Sequence, residues 1–248
     1  MKSQRLILSF LVGLFGASAA NVVSAQTQVP SVDMLLCLAA DVSESVTPDE
    51  YDLQRQGHAA AISDPSVVDI IRNGRFGKIG VLYVEWAEQD QQFLSADWQI
   101  VEDSASAAAF ARTITLSPQP PWIKSTVRNT STSEAVRYCL RQFDQAPAQA
   151  ARRVIDISSD GTSNVGAAIA EVRDEAVRQG VTINALAIED SKSPFPDGTH
   201  TRPNGGLVNY FQQNVVGGSG AFVQSARGYE SFGIMIRRKF LLELADLR

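Results

Sequence analysis

Residues 33–40, DMLLCLAA, form an apolar run of strand length, and residues 41–45, DVSES, follow it directly with one carboxylate and two hydroxyls at alternate positions. A short apolar run without alternation reads as a strand buried on both faces, the kind found inside a parallel sheet covered by helices. A charge at the end of such a strand is costly unless it is paired or binds a cation. The first strand thus limits the architecture and raises the question of what DVSES holds.

Other elements follow in alternation. Thr47-Pro48-Asp49-Glu50 is a helix start, with Thr47 as N-cap, Pro48 at the first position and Glu50 closing a capping box. It predicts a helix to about Ile62, with a short second helix opening at Asp64-Pro65. Strands are predicted over 78–87 and 92–101; the few polar residues between them favour an antiparallel hairpin. Helices are predicted over 104–114, 133–143, 165–179, 207–214 and 229–244, and strands over 153–159, 181–188 and 221–224. Gly180 suits the stop of the 165–179 helix. The loops 117–129 and 190–206 hold three prolines each. This order predicts an α/β fold: a three-layer α-β-α, doubly wound, mostly parallel sheet with one antiparallel edge strand. Ligands of such sheets bind at the carboxyl ends of the strands, where DVSES lies.

The chain opens with Lys2 and Arg5 ahead of an apolar stretch from Leu6 to about Ala20, and Val23-Ser24-Ala25 fits a small-x-small cleavage pattern. Residues 1–25 are therefore expected to be a secretory signal peptide, giving an exported protein that is periplasmic or extracellular. The stretch is too short and too broken by small residues to favour a transmembrane anchor, and no second spanning segment follows. Residues 26–248 suit one domain. Cleavage removes two of the 22 basic residues and none of the 27 acidic ones, leaving 20 against 27. An acidic chain with no basic run argues against nucleic acid as a partner.

Three strand or loop ends carry polar groups that can converge: Asp41, Ser43 and Ser45; the stretch NTSTSEA, 129–135; and SSDGTSN, 158–164, which contains Asp160-Gly161. Each offers hard oxygen donors, and none contains cysteine or histidine. Oxygen-only sites suit magnesium, manganese or calcium rather than zinc or copper. Taken singly, each stretch is an ordinary turn or cap; all three, in order and at matching element ends, make a cation site the stronger reading.

D-x-S-x-S after the first strand, a threonine before a later helix and Asp-Gly after the next strand together resemble the von Willebrand factor A domain and its metal-ion-dependent adhesion site. YVEWA, RRVIDISSDG and INALAIED carry a closer resemblance to an uncharacterised group of exported bacterial A-domain proteins. The resemblance implies that Ser43 and Ser45 bind a divalent cation through their hydroxyls. Thr130 binds directly or through water, and Asp41 and Asp160 act through waters and hydrogen bonds. Thr132 is the alternative to Thr130. Asn129 stands where the family often has glycine, and Ser159 where close relatives often have glycine. The implied ion is Mg2+, with Mn2+ or Ca2+ as alternatives, and the implied last ligand is an acidic group of a partner.

On this frame Cys37 lies roughly 13 Å below the site along a strand, and Cys139 roughly 13 Å along a descending helix. They are candidates for a disulfide; two buried thiols are the alternative. Asp156 should face the same side as Asp160, paired with an arginine or partly exposed, and is not read as a ligand. His58 is expected at the surface or packed. His200, in the loop after the 181–188 strand, is placed to rim the metal face or to sit in a loop without function.

Three functions compete. The first is an exported, metal-dependent protein-binding module that recognises an acidic group on a protein or cell-surface ligand. The second is a metal-dependent hydrolase, disfavoured by the lack of an activated nucleophile. The third is a structural part of a cell-envelope assembly with an unused site. The first is preferred, and the chain is read as a non-enzyme.

Overall fold

The computed structural model describes residues 29–125, 129–189 and 200–245. The proposed signal peptide lies outside them. The elements run β1 (Met34–Asp41), α1 (Pro48–Ile62), α2 (Pro65–Arg72), β2 (Ile79–Trp86), β3 (Gln92–Val101), α3 (Ser104–Leu116), α4 (Thr132–Phe143), β4 (Arg152–Ser159), α5 (Ile169–Arg178), β5 (Val181–Ile188), α6 (Leu207–Asn214), β6 (Val223–Ala226), a 3-10 turn (Tyr229–Ser231) and α7 (Phe232–Leu244).

Six strands form one sheet in the order β3-β2-β1-β4-β5-β6, and only the β2–β3 pair is antiparallel. The central strand β1 is buried at all eight positions. Its Met34, Leu36, Leu38 and Ala40 enter one core layer, shared with α1, α2, α3 and α7, while Leu35, Cys37 and Ala39 enter the other, shared with α4, α5 and α6. Burial on both faces is why this strand shows no polar alternation. Among the described residues no helix is long and apolar enough to cross a membrane.

The caps form as the residues require. The Thr47 hydroxyl accepts from the Glu50 amide at 3.4 Å, and the Glu50 carboxylate accepts from the Thr47 amide at 2.9 Å. This box starts α1 directly after DVSES. Arg55 of α1 forks onto Glu85 of β2 with bonds of 2.7 and 2.6 Å, and its remaining N–H groups reach the carbonyls of Ser117 and Pro118. The start of the proline-rich loop is thereby held over α1.

Cys37 and Cys139 form a disulfide, Cα–Cα 6.0 Å, that ties β1 to α4 across 102 residues of sequence. It joins the strand that ends in Asp41 to the helix that follows Thr130.

Several boundaries differ from expectation. Helix α5 starts at Ile169, not Val165, because Gly166 takes φ +92° and packs against the start of α4; a Cβ there would lie 2.6 Å from Ser131 Oγ. Strand β6 runs two residues later than expected. The last helix begins as a 3-10 turn before α7. His58 is fully buried, edge-on to Tyr83 with ring centroids 5.0 Å apart, and burial lowers its pKa to about 4. Asp156 is neither exposed nor paired with arginine. It is buried 2.5 Å from the ammonium of Lys239, which also lies 2.6 Å from Glu243.

Candidate metal centre

The carboxyl ends of β1 and β4 and the loop before α4 meet at one point. β1 ends on Asp41, whose Oδ1 accepts the Ser43 amide at 2.8 Å. This Asx-type turn reverses the chain where the strand ends, and the Val46 amide closes it on the Ser43 carbonyl at 3.1 Å. The turn brings the two serine hydroxyls 3.5 Å apart. Gln54 of α1 donates to the Asp41 carbonyl at 2.7 Å, fixing the turn from behind.

β4 delivers Ser159 and Asp160. The Ser159 hydroxyl donates to Asp41 Oδ2 at 2.5 Å, and Ser45 donates to Asp160 Oδ1 at 2.7 Å. Thr130 comes from the third segment. Its amide donates to Asn164 Oδ1, and its carbonyl accepts the Asn164 amide, both at 2.9 Å. The next amide, of Ser131, donates to the Ala87 carbonyl just past β2 at 2.8 Å. Held this way, the Thr130 hydroxyl donates to Ser43 Oγ at 3.0 Å. The Thr132 hydroxyl is buried and makes no hydrogen bond among the described residues. Asn129 donates to Glu88 at 3.0 Å.

Asp41, Ser43, Ser45, Thr130 and Asp160 are all at most 3% exposed. Burial raises the Asp41 carboxyl pKa, against hydrogen bonds from Ser159 and Ser43 that lower it. Burial, then the charge of Asp41, raises Asp160 well above the carboxylate range. Two acidic groups thus share a dry site whose neighbours are hydroxyls and amides. This donor set fits a hard divalent cation: three hydroxyls as direct ligands, and two carboxylates close enough to orient them and offset the charge. Among the described residues no three His, Cys, Asp or Glu side chains cluster as ligands, so any ion would be held mainly by hydroxyls.

Of the two placements expected for His200, the structure has the one at the metal face: although none of the three stretches contains histidine, His200 joins them. Its Nε2 lies 3.1 Å from Thr130 Oγ1, its Nδ1 lies 3.2 Å from Thr162 Oγ1, and its carbonyl accepts the Thr162 amide at 3.0 Å. The ring rests directly on Gly161, where a Cβ would lie 2.2 Å from Nε2. Beside Asn164 a cavity of about 330 Å³ opens, lined in part by Ser163, Val165, Ile169 and Tyr210.

Strand order and element order are those of the von Willebrand factor A fold. Solved structures agree. Proximal thread matrix protein 1 from the mussel byssus, in a structure with a zinc-occupied MIDAS motif, matches with TM-score 0.60 and 14% identity over 87% of this chain and 48% of that one. A von Willebrand factor type A structure from Catenulispora acidiphila matches with TM-score 0.55 and 14% identity, over 84% of this chain and 42% of that one. The pilus adhesin SpaC from Lactobacillus rhamnosus GG matches with TM-score 0.56 and 11% identity, over 90% and 31%. This chain therefore corresponds to less than half the length of each of these. No curated protein is significantly similar in sequence. Within this fold the chain belongs to the family described as "Protein of unknown function (DUF1194)", whose model matches residues 31–248.

Proposed function

We propose that the protein is an exported, metal-dependent binding module that captures an acidic group of a protein or cell-surface partner through a divalent cation. The observation that carries this reading is the convergence of Ser43, Ser45 and Thr130 hydroxyls between two buried carboxylates, Asp41 and Asp160. With hydroxyls as its main direct ligands, a bound Mg2+ stays electron-poor, and a partner carboxylate completes its shell. Signal-peptide cleavage after Ala25 releases the domain from the membrane. The adhesin SpaC, similar in fold, is consistent with a role in attachment.

The test is an array of immobilised peptides containing Asp or Glu, probed with purified protein in magnesium and in EDTA. The expected result is retention that needs both the metal and the peptide carboxylate, and that Asp41→Ala abolishes. Retention unchanged by EDTA, or by replacing Asp and Glu in the peptide, contradicts the reading.

A metal-dependent hydrolase is the second reading, and His200 is the observation in its favour, since an imidazole beside a metal site can move protons. Against it, His200 Nε2 faces Thr130, a proposed metal ligand, not a free nucleophile. Metal-dependent turnover of phosphate esters that is lost in Asp41→Ala would favour this second reading.

A further inference from the structure

Resting on the metal-site reading above, we propose that His200 is a direct nitrogen ligand of the centre, and that it shifts the ion preference from magnesium toward zinc-class transition metals. Three observations carry this. The first is the spacing of the donors. Ligands about 2.1 Å from an ion lie roughly 3.0 Å apart when at right angles and roughly 3.4 Å apart in a tetrahedron. His200 Nε2 to Thr130 Oγ1 is 3.1 Å, Thr130 Oγ1 to Ser43 Oγ is 3.0 Å, and Ser43 Oγ to Ser45 Oγ is 3.5 Å. The imidazole continues the row of hydroxyls at the spacing of neighbouring ligands.

The second observation is the other ring nitrogen. A ligating histidine needs a partner for its second N–H to fix tautomer and orientation. Thr162 Oγ1, 3.2 Å from Nδ1, is placed to accept it, which puts the unprotonated nitrogen, Nε2, on the side of Thr130. The third is Gly161. Only a residue without a side chain lets the ring sit against the backbone next to Asp160, and a Cβ at that position would lie 2.2 Å from Nε2. Nitrogen donors suit zinc, nickel and copper, whereas magnesium keeps to oxygen. Four direct ligands, Ser43, Ser45, Thr130 and His200, leave two positions of a six-coordinate ion for water or a partner carboxylate.

The test titrates purified protein calorimetrically with zinc sulfate and with magnesium chloride, for wild type, His200→Ala and Thr162→Val. Zinc is expected to bind wild type at least ~100-fold more tightly than magnesium. His200→Ala should lower zinc affinity about 100-fold and Thr162→Val about 10-fold, with magnesium affinity nearly unchanged. A second measurement needs no variant. The chain has two histidines, and His58 is fully buried, so imidazole 15N resonances resolve the question directly. Zinc should shift the Nε2 resonance of His200 and leave His58 in place. If wild type binds metal but His200 does not respond and the zinc-to-magnesium ratio survives His200→Ala, this inference is overturned while the metal-site reading stands. If wild type binds neither ion, both are overturned.

Discussion

The molecule buries two pairs of acidic side chains, and it treats them oppositely. Under α7, Asp156 and Glu243 flank the ammonium of Lys239, at 2.5 and 2.6 Å, and Asn184 donates to Glu243 at 3.0 Å. At the carboxyl end of the sheet, the hydrogen bonds to Asp41 and Asp160 among the described residues come from hydroxyls and an amide. Both pairs lie in the dry interior, and Asp156 and Asp160 sit four residues apart along the same stretch of chain. Where the fold needs only a joint between helix and sheet, the chain provides its own cation. At the strand ends it provides oxygen donors instead, an arrangement suited to a cation from outside.

The comparison can be broken at several points. The largest effect is expected from the disulfide, which ties two of the three segments that meet at the site. In the chain-entropy account, a closed loop of this length contributes about 4–5 kcal/mol. Cys139→Ala should lower unfolding stability by that order in chemical denaturation, and a loss below about 1 kcal/mol would show that the tie is redundant.

Next is the lysine. Lys239→Met leaves Asp156 and Glu243 buried without their cation and should cost about 3–5 kcal/mol. The triad also sets a pH dependence. Burial, then the charge of Glu243, pushes the Asp156 carboxyl up to about 8. Between the ordinary carboxylate range and about pH 8 the native state therefore holds more protons than the unfolded chain. The contribution is fully present at low pH and is lost as pH rises toward 8, with a slope approaching about 1.4 kcal/mol per unit for one proton. Asp156→Asn should flatten this slope in denaturation curves between pH 5 and 8; an unchanged slope would place it elsewhere.

The smallest effect has the opposite sign. In EDTA, Asp160→Asn removes a buried acidic group that makes no ion pair among the described residues, so it should leave stability unchanged or raise it by about 1 kcal/mol. A large loss would mean that Asp160 is a structural group like Asp156, and the contrast between the two pairs would fail.

Much of this was legible in the residues. The unbroken apolar run of β1, the Thr47–Glu50 box and the short polar link between β2 and β3 are local signals, and local sterics and burial decide them. The positions of Asp41, Ser43, Ser45 and Thr130 follow from element ends. The rest depends on contacts distant in sequence. Lys239 and Glu243 are four apart on a helix and look like an ordinary exposed pair; only the packing of α7 against β4 and β5 reveals them as interior. Asp156 carries no mark of its partner for the same reason. His200 comes 40 positions after Asp160, and no periodicity says where its loop returns. Its one local clue was Gly161, whose missing side chain makes room for the ring. The start of α5 was misplaced because Gly166 looks tolerable in a helix until the serines of α4 are seen against it.

The central claim is that Asp41, Ser43, Ser45, Thr130 and Asp160 form a site completed by a divalent cation. Its most direct test is thermal unfolding in EDTA and after addition of magnesium or zinc, beside a Ser43→Ala/Ser45→Ala variant. A ligand that binds only the native state stabilises it by about 2.7 kcal/mol at one hundred times its Kd, about 5–10 °C for a domain of this size. The account predicts such a rise in wild type and none in the variant. No rise at millimolar metal, or an equal rise in both proteins, would contradict it.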